Sequence, residues 1–338
     1  MNTQTTAAAL LSSLEKVIKG KKEVLRFFIS AYLTGGHVLL EDVPGVGKTT
    51  LVKTFAALIE KDGKPAQFKR IQCTPDLLPY DITGVEVFNA ETHSFAFMEG
   101  PVFADILLAD ELNRTPPKVQ SALLEAMAER QVTAGTVTRP LSPFFFTAAT
   151  QNPVESLGTY PLPAAQLDRF SMCLSLGYPD EEAEYELLHE QTKPQAAEAV
   201  VPVVSMQDIA ASREEQRLVF VHPALERVIA GIGKLTRTHP AFKLGSSPRA
   251  GIHLLQLART FALICGRNWV EDDDIRVLAP LVLAHRCVIK TGMASGTASG
   301  TPAGISPGSI GTAAGLISEI TETVIRTVDK HTDWTQAD

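Results

Sequence analysis

This 338-residue chain lacks a basic field: 31 Lys and Arg stand against 38 Asp and Glu, a formal net charge of −7. That balance disfavours nonspecific nucleic-acid binding as the main task, which needs positive charge against phosphates. Cysteine is scarce. Cys73, Cys173, Cys265 and Cys287 stand far apart and form no C-x-x-C pair. They read as reduced, mostly buried thiols of a cytosolic protein, so neither a disulfide framework nor a zinc site is expected. The eight histidines show no metal-ligand spacing either. The apolar N-terminal stretch Ala7-Ala8-Ala9-Leu10-Leu11 is too short and too poorly flanked for a signal peptide or a spanning helix. It has no basic residue before it, and Glu15 and Lys16 follow. It reads as the first amphipathic helix, and no transmembrane segment is expected. With 45% hydrophobic and 20% charged residues, the composition is that of an ordinary globular protein with material for a sizeable core. The length allows two domains.

What the chain does have is concentrated in Val38-Leu39-Leu40-Glu41-Asp42-Val43-Pro44-Gly45-Val46-Gly47-Lys48-Thr49-Thr50. A short apolar run ends in a glycine-rich turn, and a helix-forming stretch starts at Lys48. This is the layout of a phosphate-binding loop. Gly45 and Gly47 free the backbone to point successive N–H groups into one concavity. The following helix turns its positive end to the same place. Lys48 can reach β and γ phosphates, and the Thr49 hydroxyl can ligate Mg²⁺. The usual pattern is G-x-x-x-x-G-K-[ST]; Asp42 stands at its first glycine. Alone, these residues also suit a strand–turn–helix corner with a surface lysine.

A second signal follows. Ile106-Leu107-Leu108-Ala109 reads as a buried strand that ends in adjacent carboxylates, Asp110 and Glu111. Behind a phosphate loop, Asp110 would hold Mg²⁺ through water and Glu111 would polarise the attacking water; by themselves the pair could be a helix cap. Thr150-Gln151-Asn152-Pro153 places a neutral amide after another strand. Asn152 can hydrogen-bond both a γ-phosphate and the water, although Asn-Pro is also a turn signal. Arg169, in Leu162–Phe170, and Arg249, in Ser247-Pro248-Arg249-Ala250, are guanidinium candidates for transition-state charge. Arg114, Arg213 and Arg259 read as surface ion-pair residues.

The rhythm of the chain supports this reading. Strands are expected at His37–Glu41, Phe68–Gln72, Ile106–Ala109, Phe144–Ala149 and Met172–Leu176, with room for crossover helices between them. The expected class is α/β, a parallel five-stranded sheet between helices. Its ligand would sit at the carboxyl ends of the strands. Two β-hairpin insertions are expected, at about Tyr80–Phe97 and at Gln131–Leu141. The expected division is a nucleotide-binding core at 1–180, a helix and linker at 181–204, and an all-α domain at 205–290. A flexible Gly/Ser/Thr/Ala-rich segment at 291–315, for which a helix pairing its glycines against another helix is the alternative, and a C-terminal helix and tail at 316–338 complete it. Ser247-Pro248 reads as a helix start, and Leu316–Val328 resumes amphipathic spacing.

Together these residues resemble the MoxR family of AAA+ ATPases. The likeness rests on Leu40–Thr49, Ala109–Arg114, Ala149–Pro153, Gln166–Phe170 and Ser247–Ala250, and runs from about Val17 to Arg286. The resemblance implies an AAA+ P-loop core with a small all-α lid. It implies Walker A at Lys48 and Thr49, with Pro44, Gly45, Val46, Gly47 and Thr50 around the phosphates. It likewise implies Walker B at Asp110 and Glu111, sensor 1 at Asn152, an arginine finger at Arg169 and sensor 2 at Arg249. Val17, Ile18 and Gly20 would lie near the adenine. ATP and Mg²⁺ are the implied cofactors, in a ring, usually a hexamer, with ATP between subunits. The two hairpins match the helix-2 and pre-sensor-1 inserts of the clade. A protein client, often a metal-containing enzyme, and a partner with a von Willebrand factor A-type domain are implied too. Two other readings stay open: a nucleic-acid-translocating motor, and a nucleotide-dependent binding switch with little turnover.

Overall fold

The computed structural model describes residues 1–91, 93–152, 158–191, 200–290 and 309–329. Pro153, most of the expected linker (192–199), most of the glycine-rich segment (291–308) and the tail after 329 lie outside the described residues.

Five parallel strands form the central sheet: β1 (Val38–Glu41), β2 (Phe68–Gln72), β3 (Ile106–Asp110), β4 (Phe146–Gln151) and β5 (Met172–Leu174), in the order β5-β1-β4-β3-β2. The inner strands are near-continuous apolar runs because both faces are covered. Val38–Leu40 and Ile106–Ala109 are almost wholly buried. β4 begins and ends two residues later than expected, because its backbone stays paired with β1 through Thr150 and Gln151. That extension carries Thr150 to the carboxyl edge of the sheet.

Helices α1 (Thr3–Glu15), α2 (Lys22–Thr34), α3 (Lys48–Ala57) and α4 (Pro117–Glu129) belong to the sheet's layers. On one face Phe28, Tyr32, Phe55 and Phe146 pack edge-on at 4.9–5.4 Å between centroids, an arrangement aromatic quadrupoles favour. Both expected hairpins are present, as Gly84–Asn89 paired with Ser94–Glu99 and Gln131–Ala134 paired with Val137–Pro140.

Beyond the sheet lie α5 (Glu181–Gln191), α6 (Met206–Arg217), α7 (Pro223–Thr238), α8 (Pro248–Ile264), α9 (Asp272–Leu283) and α10 (Ser309–Asp329). The region after Met206 is not purely helical. Phe242–Leu244 and Val288–Ile289 form a short antiparallel pair, too brief for periodicity to reveal. α10 starts at Ser309, seven residues ahead of the expected Leu316. Ala313 and Ala314 are small enough to be buried, so a glycine-rich stretch still serves as helix. α10 packs on α7 and α9. The approach to α7 is close: a Cβ on Gly231 would come within 2.9 Å of Val324 Cγ1, so glycine is what lets these helices meet.

Candidate active site

The carboxyl ends of β1, β3 and β4 open into a cavity of about 350 Å³. Its walls bring together Pro44, Gly45, Gly47, Lys48, Thr49, Thr50, Asp110, Glu111, Thr150, Gln151 and Asn152. The expected loop, carboxylates and amide therefore converge in one place.

The loop between β1 and α3 turns through two glycines in the left-handed region, Gly45 at φ +86° and Gly47 at φ +89°. A Cβ on Gly45 would meet nothing within 4 Å, so this backbone faces open space as a phosphate cradle must. Gly47 caps α3, and Lys48 and Thr49 open its first turn. The Lys48 ammonium donates to the carbonyls of Asp42 and Val43, each at 2.9 Å. Partial burial pushes its pKa below the ordinary lysine value, opposed by the Asp42, Asp110 and Glu111 carboxylates.

Asp42, at the place of the usual first glycine, is buried and fully used. Its carboxylate accepts the Ser175 hydroxyl at 2.6 Å and the amides of Leu176 at 2.6 Å and Gly177 at 3.0 Å. It ties the loop to the segment that follows β5.

Opposite the loop, Thr150 links both carboxylates. Its hydroxyl donates to Asp110 Oδ1 at 2.7 Å and accepts the Glu111 amide at 2.8 Å. Glu111 has φ +60°, a left-handed backbone that costs a non-glycine residue roughly 1–2 kcal/mol. The Thr150 contact holds it there. Arg70 on β2 donates to Asp110 Oδ2 at 2.7 Å, and the Gln72 amide donates to Glu111 at 3.0 Å. Arg114 pairs with Glu111 at 3.3 Å. Arg70, Gln72 and the role of Thr150 are absent from the sequence expectations. Only the pairing of Gln72 with Asp110 across β2 and β3 reveals the first two.

A magnesium ion fits these donors in one manner. The described residues contain no group of three or more His, Cys, Asp or Glu side chains able to hold a metal. Both Asp110 oxygens already accept hydrogen bonds. An all-oxygen set of one threonine and carboxylates engaged in this way suits an ion that keeps waters and binds substrate phosphates.

The remaining expected residues lie around or away from the cavity. Ile18 is buried, and its Cδ1 lies 3.8 Å from where a Gly47 Cβ would stand. Val17 and Val46 are half-buried against the same apolar core. Gly20, at φ +67°, lies beside Asp180 and Ala183. Arg169 and Arg249 are not part of the cavity wall. Arg169 donates to the Leu124 carbonyl at 2.8 Å and lines a separate cleft of about 420 Å³ with Glu125, Glu129 and Gln131. Arg249 is exposed in the first turn of α8, whose N-cap Ser247 donates to Asp168 at 2.8 Å. The chain segments that carry the two arginines are therefore joined by one hydrogen bond. Arg213 is no surface ion-pair residue: it lies over the Phe144 ring and donates to the Pro143 carbonyl.

Residues 37–172 match the model of the ATPase family associated with various cellular activities (AAA), and residues 234–303 match the AAA lid domain. The chain is 39% identical to Chaperone MoxR1 of Mycobacterium tuberculosis, over 84% of this chain and 76% of the relative. The chain belongs to the MoxR family of AAA+ ATPases. It is 47% identical to the uncharacterized protein YeaC of Bacillus subtilis (strain 168), over 82% of this chain and 85% of that one. A crystal structure of a Cytophaga hutchinsonii protein assigned as an ATPase superposes with a TM-score of 0.81 at 36% identity, covering 96% of this chain and 94% of that one. This MoxR-family chain thus binds nucleotide and hydrolyses ATP with an AAA+ core and a helical lid. Among the described residues no helix is long and apolar enough to cross a membrane.

Proposed function

We propose that this ATPase works as a ring, a hexamer as the family resemblance implies, with each ATP held between two subunits. The observation that carries this reading is the separation of Arg169 from its own Lys48 cavity. A site with loop, carboxylates and Asn152 still needs a cation for the charge that develops on the γ-phosphate. Arg169, away from that cavity, is suited to supply it to the next subunit, with Arg249 as the sensor 2 arginine that the family resemblance implies.

In this reading the Gly45–Thr50 loop and Lys48 hold the phosphates, and Ile18, with Val17 and Gly20, borders the base. Glu111 polarises the attacking water and Asn152 orients it. Mg²⁺, held by Thr49 and through water by Asp110, would neutralise charge on the β and γ phosphates.

The output is remodelling or activation of a protein client, with a metalloenzyme as one class and a von Willebrand factor A-type partner as the family implies. The hairpin 84–99 supports a protein rather than a nucleic acid. It exposes Val85, Val87, Phe88, Phe95 and Met98 and contains no lysine or arginine. A cytoplasmic site of action accords with the four free cysteines.

ATPase rate per chain against protein concentration, with Mg²⁺ present, tests this. A rate that rises with concentration is expected. A constant rate from a chain that sizing shows to be monomeric would overturn it.

A further inference from the structure

The peptide that carries Arg169 is held by the lid. Arg286, only 2% exposed, lies just after α9. Its Nη2 donates both to the Phe170 carbonyl and to His253 Nδ1, the latter at 2.7 Å. Its Nε lies 3.6 Å from the Asp168 carboxylate. One lid guanidinium therefore grips both neighbours of Arg169. Two further lid groups join it: His285 Nε2, 3.2 Å from the Phe170 carbonyl, and Ser247 Oγ, 2.8 Å from Asp168. On the core side the Arg169 guanidinium donates to the Leu124 carbonyl, and its backbone amide to the Gln166 carbonyl.

This arrangement exceeds what packing needs. A buried guanidinium is costly to desolvate, and apolar side chains would join lid to core at less cost. A guanidinium can hydrogen-bond a carbonyl and histidine nitrogens through its N–H groups while its charge pairs with a carboxylate, as Arg286 does with Phe170, His253, His285 and Asp168. His253 accepts from Arg286 and so must be neutral at Nδ1. Burial and the nearby Arg286 and Arg249 push its pKa down to about 3, which keeps it an acceptor.

We propose that Arg286 is a positioning residue for Arg169, coupling the lid to the arginine that completes the neighbouring subunit's site. A lid displacement then moves Arg169 with it, and hydrolysis in one subunit is sensitive to the lid of the next. The inference rests on Arg169 acting across the subunit interface.

Mixed rings test both. Lys48→Ala chains keep Arg169 but have lost the lysine of the loop; Arg169→Ala chains keep the loop but lack the arginine. Mixing the two restores turnover at composite sites if Arg169 acts in trans. Arg286→Lys is then added to one chain at a time. On the Lys48→Ala chain, which supplies the arginine, it lowers the restored kcat by roughly ten- to a hundred-fold with KM little changed. On the Arg169→Ala chain it changes the restored rate less than about two-fold, because the group it positions is already gone. Equal loss in both arrangements would make Arg286 a structural residue only and overturn the proposal, as would no loss in either. No restoration by the parent pair would instead overturn the reading of Arg169, and this proposal with it. Asp168→Asn, which keeps size and an acceptor oxygen, repeats the test with the same expected asymmetry should Arg286→Lys unfold the chain in a thermal melt.

Discussion

The Asp42 carboxylate accepts the Leu176 amide at 2.6 Å, and this one bond explains why an acid stands where phosphate loops usually carry glycine. With Ser175 and Gly177 as further donors, Asp42 fastens the start of the loop to the end of the sheet. Its own carbonyl meanwhile accepts from Lys48. Asp42→Gly restores the common glycine pattern, yet it leaves the Leu176 and Gly177 amides without this partner. The expected result is a loss of about 2–4 kcal/mol in unfolding free energy and weaker nucleotide binding. A chemical denaturation midpoint equal to that of the parent would contradict it.

Thr150 is expected to matter for turnover more than for binding. Thr150→Val keeps the shape but removes the acceptor of the Glu111 amide and the donor to Asp110. Freed from that contact, the left-handed backbone at Glu111 can relax and take its carboxylate with it. Turnover should fall by roughly ten-fold or more while nucleotide affinity stays within about two-fold. A raised Kd with unchanged kcat would show that Thr150 serves the loop instead.

Glu111→Gln is expected to bind ATP and hydrolyse it roughly 10²–10⁴ times more slowly, the usual worth of a positioned base. Single-turnover kinetics with a separate binding assay decide this. Unchanged turnover would remove Glu111 from the role proposed for it.

The arginine and the lysine should separate cleanly. Lys48→Ala weakens nucleotide binding. Arg169→Ala keeps binding and lowers turnover by roughly 10³ or more, the lower end for an arginine given across an interface. Equal loss of both properties in Arg169→Ala, with a lowered melting temperature, would point to folding.

Stability should fall as pH drops below about 6.5. His37 is wholly buried, accepting the Thr147 amide at 3.0 Å and lying 3.2 Å from the Met127 carbonyl. Burial pushes its pKa down to about 3, as it does for His253, and pushes that of His285 well below the ordinary value. Each is neutral when folded and takes up a proton on unfolding below pH 6.5. The unfolded chain then binds more protons, and stability rises with pH up to that point. Each histidine contributes a slope of about 1.4 kcal/mol per pH unit between 6.5 and its folded value. Urea midpoints from pH 7.5 to 5.0 measure the sum, and His37→Gln should flatten it by one such share. A midpoint independent of pH over that range would refute the argument.

The parts legible from sequence were those written in consecutive residues. Gly45 through Thr49 carry their own turn and helix start, and Ile106 through Glu111 carry their own strand and carboxylate pair. The parts that were not legible depend on residues far apart in the chain. Arg70 meets Asp110 only because β2 pairs beside β3 in a fixed register. The short pair Phe242–Leu244 with Val288–Ile289 had too few residues to show a period. The helix at Ser309 was hidden by its glycines, since what stabilises it is burial against α7 and α9 rather than propensity.

The sequence by itself determined the phosphate loop, the carboxylate pair and the alternation of strand and helix, because backbone freedom, charge and hydrophobic period are local properties. Only the tertiary structure decided that Asp42 is a tie to Leu176, that Thr150 joins Asp110 to Glu111, and that Arg169 lies outside the Lys48 cavity with its neighbours Asp168 and Phe170 held by Arg286. Those relations come from strand order and lid packing, which bring residues as many as 134 positions apart into hydrogen-bond range. Proximity of that kind is a property of the fold, and no local pattern in the chain encodes it.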